Sequence, residues 1–288
     1  MRVSVRVFEL EDFDLDATMR SGQAFRWRQD GIQWTGVVGS RWVRLSREAG
    51  ATVLRAESFP QCEDWGWLRH YLQFDCSLRD VIDRFPKDPV LLQAVNRWRG
   101  LRLLRQDPWE CLATFILSST KQIVQIQQIV AALCDRFGAP ILTDPNGIVF
   151  RAFPTPTQVA EASEASLREC KMGFRAAHLL ACARRVSNGS LDLESLRRRP
   201  LEEARAALMD LPGVGPKIAD CVLLFALGFQ EAFPIDVWVA RVLKDHYFAG
   251  HPVTLPALRI FAREHFGPQA GYAQQYLFHH IRMLSKRS

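Results

Sequence analysis

Residues 211–221 read LPGVGPKIADC, with two prolines and two glycines between Pro212 and Pro216. The segment before it, RPLEEARAALMD, has helical periodicity, and so does KIADCVLLFALG, which begins at Lys217. The reading is helix, five-residue turn, helix. Glycines at 213 and 215 permit positive φ and close approach of another backbone. Pro216 suits the first turn of the second helix, where a missing N–H costs nothing. The N–H groups of the turn, around Leu211, Gly213, Val214 and Gly215, then face outward with a helix N-terminus behind them, which makes an anion site. A DNA phosphate is its natural occupant, held without sequence preference. The alternative is a tight helix connection that binds nothing.

Lys217 stands in the first turn of the second helix. The positive end of a helix disfavours a second positive charge, and a neutral amine is a nucleophile able to form a Schiff base. The plainer reading is a solvated lysine that touches phosphate. Nineteen residues on, PIDVWVARVLKDHY puts Asp236 immediately before another helix. Its ordinary role there is the N-cap. A capping carboxylate near a deprotonated lysine would also stabilise positive charge at a sugar C1′. Hairpin, lysine and Pro-x-Asp at this spacing form a specific combination.

Outward from this core, residues 106–288 read as successive helices. DPWECLATFILSS starts with Asp107 as N-cap, Pro108 at the first helical position and Glu110 three residues after the cap. A helix from Ile123 ends at Gly138, and a last one runs through AGYAQQYLFHHIRML. Residues 1–105 differ in texture. Ala24 to Glu48 alternates apolar and polar side chains, punctuated by Asp30-Gly31 and Gly39-Ser40, as in an antiparallel meander. The stretch PQCEDWGWLRHYLQF reads as an amphipathic helix, and Arg84 to Val90 carries two prolines, as a linker would. The expected fold is α+β: an N-terminal antiparallel sheet domain with helices (1–105), then an all-α helix–hairpin–helix domain (106–288).

Composition narrows the function class. The chain of 288 residues carries a net charge of +6, with 31 Arg against 6 Lys, which favours an anionic partner such as nucleic acid. The cysteines, at 62, 76, 111, 134, 170, 182 and 221, include no CxxC pair and none after Cys221. Disulfides, thiolate-bound zinc and iron–sulfur clusters are not expected, and a reducing cytosol or nucleus fits. The N-terminus lacks the apolar run of a signal peptide, and no segment approaches 18 apolar residues, so no membrane association is expected.

The constellation resembles the helix–hairpin–helix DNA glycosylases with a Gly/Pro-rich loop and an aspartate (HhH-GPD), and among them the eukaryotic-type 8-oxoguanine DNA glycosylase/AP lyases. The resemblance runs through SGQAFRW (Ser21 to Trp27), GLRLLRQDPWECLATFILSS (Gly100 to Ser119), GFRA (Gly173 to Ala176), the hairpin, PIDV and GYAQQYLF (Gly271 to Phe278). It implies that Lys217 is the nucleophile and Asp236 its electrostatic partner, acting on a nucleoside flipped out of duplex DNA. It also implies a base sandwiched between Cys221 and Phe278, with Gln274 on its Watson–Crick edge. Gly22 would offer its carbonyl to the N7–H that 8-oxoguanine has and guanine lacks. Guanine's bare N7 would oppose two acceptors, which costs about 1–3 kcal/mol. Helical spacing agrees, since Lys217, Cys221 and Leu224 share one face, as do Gln274 and Phe278. Singly, these residues read equally well as a packing cysteine, a core phenylalanine and a strand-edge glycine.

Three departures stand out. Trp238 occupies the position where the family often has a phosphate-holding histidine. Thr120, Lys121 and Gln122 replace an asparagine-rich stretch that fills the hole left by the flipped base, and Gln125 replaces an arginine. Arg175 remains, preceded by Phe174 in place of tyrosine, which can still wedge into the base stack. Preference for cytosine opposite the lesion is therefore expected to relax. The expected partner is duplex DNA carrying an oxidised purine, bound by a monomer. No cofactor is required, although hairpin carbonyls could hold a monovalent cation beside a phosphate. Two other readings stay open: a non-catalytic helix–hairpin–helix DNA-binding protein, and a monofunctional alkyl-base glycosylase, against which Lys217 argues.

Overall fold

The computed structural model describes residues 2–10, 12–47, 52–119 and 121–285. Its N-terminal part holds a five-stranded antiparallel sheet: β1 (Ser4–Glu9), β2 (Arg28–Asp30), β3 (Gln33–Val38), β4 (Arg41–Ser46) and β5 (Val53–Phe59), in spatial order β1-β5-β4-β3-β2. The meander read from the sequence is β2-β3-β4, turning at Gly31 and Gly39. The two strands beyond it are added by the long-range register of Phe8 with Leu54 and Leu45 with Ala56. One sheet face buries Phe8, Trp34, Leu45 and Leu54 with Trp65, Leu68 and Leu72, a self-contained core. The amphipathic helix expected around Trp65 spans Gly66–Tyr71.

The remainder is helical except for one two-stranded ribbon, β6 (Pro140–Thr143) with β7 (Val149–Arg151). Asp107 caps the helix Pro108–Leu117 by accepting from the Glu110 N–H at 2.8 Å. The Glu110 side chain does not close a capping box. It pairs instead with the buried Arg26 at 3.2 Å and so joins the sheet region to this helix. Pro108–Leu117 is buried along its whole length, which makes it the central rod of the second, larger core.

The Ser21-Gly22-Gln23 loop is fastened to both cores. Gln23 is fully buried; its Nε2 donates to the Arg102 carbonyl (2.8 Å) and its Oε1 accepts from the Leu104 N–H (2.7 Å). Gln106 donates to the Gln23 carbonyl at 2.6 Å, while its own N–H reaches the Phe225 carbonyl beyond the hairpin. Four buried hydrogen bonds at about 1 kcal/mol each therefore set Gly22 in place against the helical part.

Candidate active site

The helix–turn–helix is built as read, except that the Leu211 and Val214 N–H groups do not face outward: they donate to the Leu208 and Leu211 carbonyls at 3.1 Å and close the turn. The helix Leu201–Met209 leads into the turn, and the helix Pro216–Val222 leaves it, capped by the extended residue Gly215. Gly213 has φ +77°, and a Cβ there would stand 2.4 Å from the His178 ring, so only glycine fits. Leu211 and Val214 are buried at 2% and 5% exposure, which makes their side chains core anchors and leaves only the turn's backbone to face a ligand. After Val222 the helix widens into a π-helical turn, Leu223–Leu227. Leu224 lies within it and packs its Cδ1 toward Gly271 on the helix Ala270–Ser285.

Lys217 is half-buried. Its Nζ donates to the Ser118 hydroxyl at 3.3 Å and lies 5.0 Å from the centre of the Phe115 ring. Ser118 ends the helix Pro108–Leu117 and donates in turn to the Phe115 carbonyl at 2.7 Å. One turn on from the lysine, burial pushes the Cys221 thiol up to about 12, against the pull of the neighbouring Lys217. Asp220, on the other side of this helix, is 2% exposed and accepts from Arg205 at 2.8 Å. Burial raises its carboxyl above the usual range, and Arg205 opposes that rise.

Asp236 caps the helix Val237–Tyr247: one carboxylate oxygen accepts from the Trp238 N–H (3.0 Å) and the Val239 N–H (2.8 Å). It is close enough for its charge to act on Cys221, one turn from Lys217, and on Arg282. The helix Ala270–Ser285 supplies the third wall. Gln274 is buried with no hydrogen bond to its Oε1 among the described residues, and Phe278 is half-buried. Gly22 has φ +79°; a Cβ on it would lie 3.5 Å from Phe278, 2.9 Å from Ile123 and 3.2 Å from Arg282 Nη1. Gly22 is thus brought against Phe278, with Ile123 and Arg282 packed beside it. The carbonyls of Arg20, Ser21 and Gln23 accept from Arg282, Gln275 and Gln106. Among the described residues no donor reaches the Gly22 carbonyl.

The residues expected at the orphan base are placed less uniformly. Phe174 is 58% exposed, as a wedge requires, and packs edge-on against His178. Arg175 is not presented. It is buried, donates to the carbonyls of Ser119 and Met172, and stacks on Phe174 at 4.5 Å. Gln125 is turned back to its own helix start, where its Oε1 accepts from the Gln122 N–H at 3.0 Å. Lys121 is half-buried beside them, and Thr120 lies outside the described residues. A cavity of about 760 Å³ opens elsewhere, between β2-β3 and the helix Ile123–Phe137, and contains none of the expected site residues. Among the described residues, no His, Cys, Asp and Glu side chains are grouped as a metal ion would need, and no helix is long and apolar enough to cross a membrane.

Comparison with known proteins matches this geometry to one family. Residues 6–112 match the 8-oxoguanine DNA glycosylase N-terminal domain, and residues 113–255 match the HhH-GPD superfamily of base excision DNA repair proteins. The N-glycosylase/DNA lyase OGG1 of Arabidopsis thaliana is 34% identical over 93% of this chain and 77% of its own length. This chain belongs to the 8-oxoguanine DNA glycosylase family. A probable N-glycosylase/DNA lyase of Methanothermobacter thermautotrophicus is 32% identical, with 94% of each chain covered. The 8-oxoguanine glycosylase/lyase of Clostridium acetobutylicum, solved with double-stranded DNA containing cytosine opposite 8-oxoG, superposes with a TM-score of 0.89 at 30% identity, covering 97% of this chain and 98% of that one.

Within this glycosylase, three residues around the lysine and the loop were not legible in the sequence. Ser118 meets Lys217 from 99 positions away; only the family-like SS at the end of its helix hinted at it. His178 lies under the hairpin turn, and Arg282 lies beside Gly22. At the position of the family histidine, Trp238 carries the exposed Arg241 guanidinium over its ring at 5.2 Å.

Proposed function

We propose that this chain excises 8-oxoguanine from duplex DNA and then cleaves the strand, with Lys217 as nucleophile. The observation that carries the reading is one half-buried lysine amine, hydrogen-bonded to a serine hydroxyl in the first turn of the hairpin's second helix, with the charge of a helix-capping aspartate acting on the cysteine one turn along. The flipped nucleoside presents C1′ to Nζ. As the Nζ–C1′ bond forms, the C1′–N9 bond breaks and its electron pair leaves with the base. The Asp236 carboxylate, held by two backbone N–H groups, stabilises the positive charge at C1′. Ring opening gives an imine, which makes the 2′ proton acidic. Its loss, with departure of the 3′ oxygen, cuts the strand on the 3′ side.

Base selection rests on Gly22 and Gln274. The Gly22 carbonyl accepts the lesion's N7–H, and the Gln274 Oε1 accepts from the Watson–Crick edge, while Phe278 and Cys221 stack on the two faces. Ile123 and Phe278 move apart to admit the base. The hairpin holds a phosphate through the N–H groups of Gly213 and Gly215, since those of Leu211 and Val214 donate to the Leu208 and Leu211 carbonyls. What favours a monovalent cation beside it is that, among the described residues, no donor reaches the Gly213 and Val214 carbonyls. Phe174 fills the stack, and Lys121 faces the opposite strand, which Arg175 reaches only on leaving the Ser119 and Met172 carbonyls. The test is incubation with a duplex carrying a single 8-oxoguanine. Released 8-oxoguanine and a strand break at that position are expected; an intact duplex would refute the reading.

A further inference from the structure

Arg282 has no role in the chemistry above, yet it stands in the wall of the base pocket. It is 9% exposed, its Nε has no hydrogen-bond partner among the described residues, and its Nη2 donates to the Arg20 carbonyl. Its Nη1 lies 3.2 Å from where a Cβ on Gly22 would stand, and its guanidinium lies 5.5 Å from the centre of the Phe278 ring. Burial lowers it to about 10, with Asp236 opposing, so it is a cation at neutral pH. Asp236 acts on it only at a distance, and with Nε idle this buried cation can receive a further negative charge.

Helix geometry says what visits. Gln274, Phe278 and Arg282 recur every four residues on the helix Ala270–Ser285 and form one stripe. Gln274 and Arg282 are about 12 Å apart along the axis, with Phe278 midway. A purine stacked on Phe278 with its Watson–Crick edge toward Gln274 turns its opposite, imidazolone edge toward Arg282. That edge carries N9 and the C8 oxygen, and it takes up negative charge when the C1′–N9 bond breaks. Gly22, which receives N7–H from the same ring, lies against Arg282, as this orientation requires.

We propose that Arg282 is a further catalytic residue, whose guanidinium faces the imidazolone edge of the flipped base and stabilises the anion as it departs. The electron pair of the broken bond resides on N9 and spreads onto the C8 oxygen next to the guanidinium. A proton shed by the new C1′–N bond then neutralises the free base. The inference rests on the proposed 8-oxoguanine chemistry and adds a group to it.

The test compares Arg282→Gln, which keeps a donor for the Arg20 carbonyl without the charge, with Arg282→Lys, which keeps the charge. Three quantities are measured: single-turnover excision of 8-oxoguanine, cleavage at a preformed abasic site, and the Kd for a duplex whose 8-oxoguanine nucleotide cannot be cleaved. The glutamine variant is expected to excise about 10²-fold more slowly, with Kd and abasic-site cleavage unchanged, and the lysine variant to recover most of the rate. Equal slowing of both variants, or a Kd that weakens in step with the rate, would reduce Arg282 to a fastener of the Gly22 loop and overturn the proposal. So would loss of folding in the glutamine variant together with a slow but folded lysine variant. Wild-type protein that leaves 8-oxoguanine in place but cuts abasic sites would instead refute the substrate reading itself.

Discussion

At the scale of single residues, Asp236 shows how one side chain serves both fold and chemistry. Its cap was legible from Pro-x-Asp before a helical run, and both capping hydrogen bonds are present at 2.8 and 3.0 Å. Asparagine caps about as well as aspartate, so Asp236→Asn should leave the thermal midpoint nearly unchanged. Excision should fall by about 10²-fold or more, because the charge facing C1′ is gone. Single-turnover kinetics beside a melting curve decides this. A variant that melts early yet keeps its rate per folded molecule would make Asp236 a cap only. Lys217 was singled out by its position in a helix's first turn, whereas its partner Ser118 and the pocket cation Arg282 were not. Those contacts join segments 99 and 262 positions apart, and no local periodicity encodes them.

At the scale of elements, the hairpin was the most legible part of the chain, since glycine and proline spacing specifies a turn directly. Gly213→Ala forces a left-handed φ and drives a Cβ into the His178 ring. It should cost on the order of 1–3 kcal/mol and weaken binding to lesion-free duplex, measured by denaturation and by fluorescence anisotropy. An unchanged affinity would mean the turn does not hold phosphate. The helix behind it depends on the buried pair of Asp220 with Arg205. Arg205→Met removes the nearer partner of that carboxylate and leaves it, among the described residues, only Arg259 at 3.8 Å, at a cost of up to about 3–5 kcal/mol. The sign with pH follows from the raised carboxyl of Asp220. The folded state binds its proton more tightly than the unfolded chain, so stability falls as pH rises from the unfolded value through the folded one. Losing Arg205 raises the carboxyl further. The deficit of the variant should therefore be small in acid and grow toward neutrality, as urea midpoints at pH 4 and pH 7 would reveal. A deficit equal at both values would contradict it. The strands were only half legible. β2-β3-β4 follow from local alternation and turns, but β1 pairs with β5 across some fifty residues, and alternation alone does not choose that partner.

At the scale of the whole molecule, two cores fastened through Gln23 and Glu110 hold the Gly22 loop, the hairpin and the pocket helix around one space. The opposite strand is served less fully. Arg175 is tied to the Ser119 and Met172 carbonyls, and Gln125 is tied to its helix start. A bidentate base contact is worth about 1–3 kcal/mol, or roughly 5- to 150-fold. Excision opposite cytosine, thymine, guanine and adenine should therefore differ less than a full set of readers would give. A cytosine preference of several hundredfold would point to Lys121 or Gln122 as substitute readers. The central claim, that one lysine forms a covalent imine with the sugar of an excised 8-oxoguanine, meets its most direct test in borohydride trapping. Wild-type protein incubated with an 8-oxoguanine duplex and borohydride should yield a covalent protein–DNA adduct. Lys217→Gln should yield none while still binding the lesion. Trapping by Lys217→Gln near the wild-type level, or no adduct from wild-type protein that binds the duplex, would contradict the account.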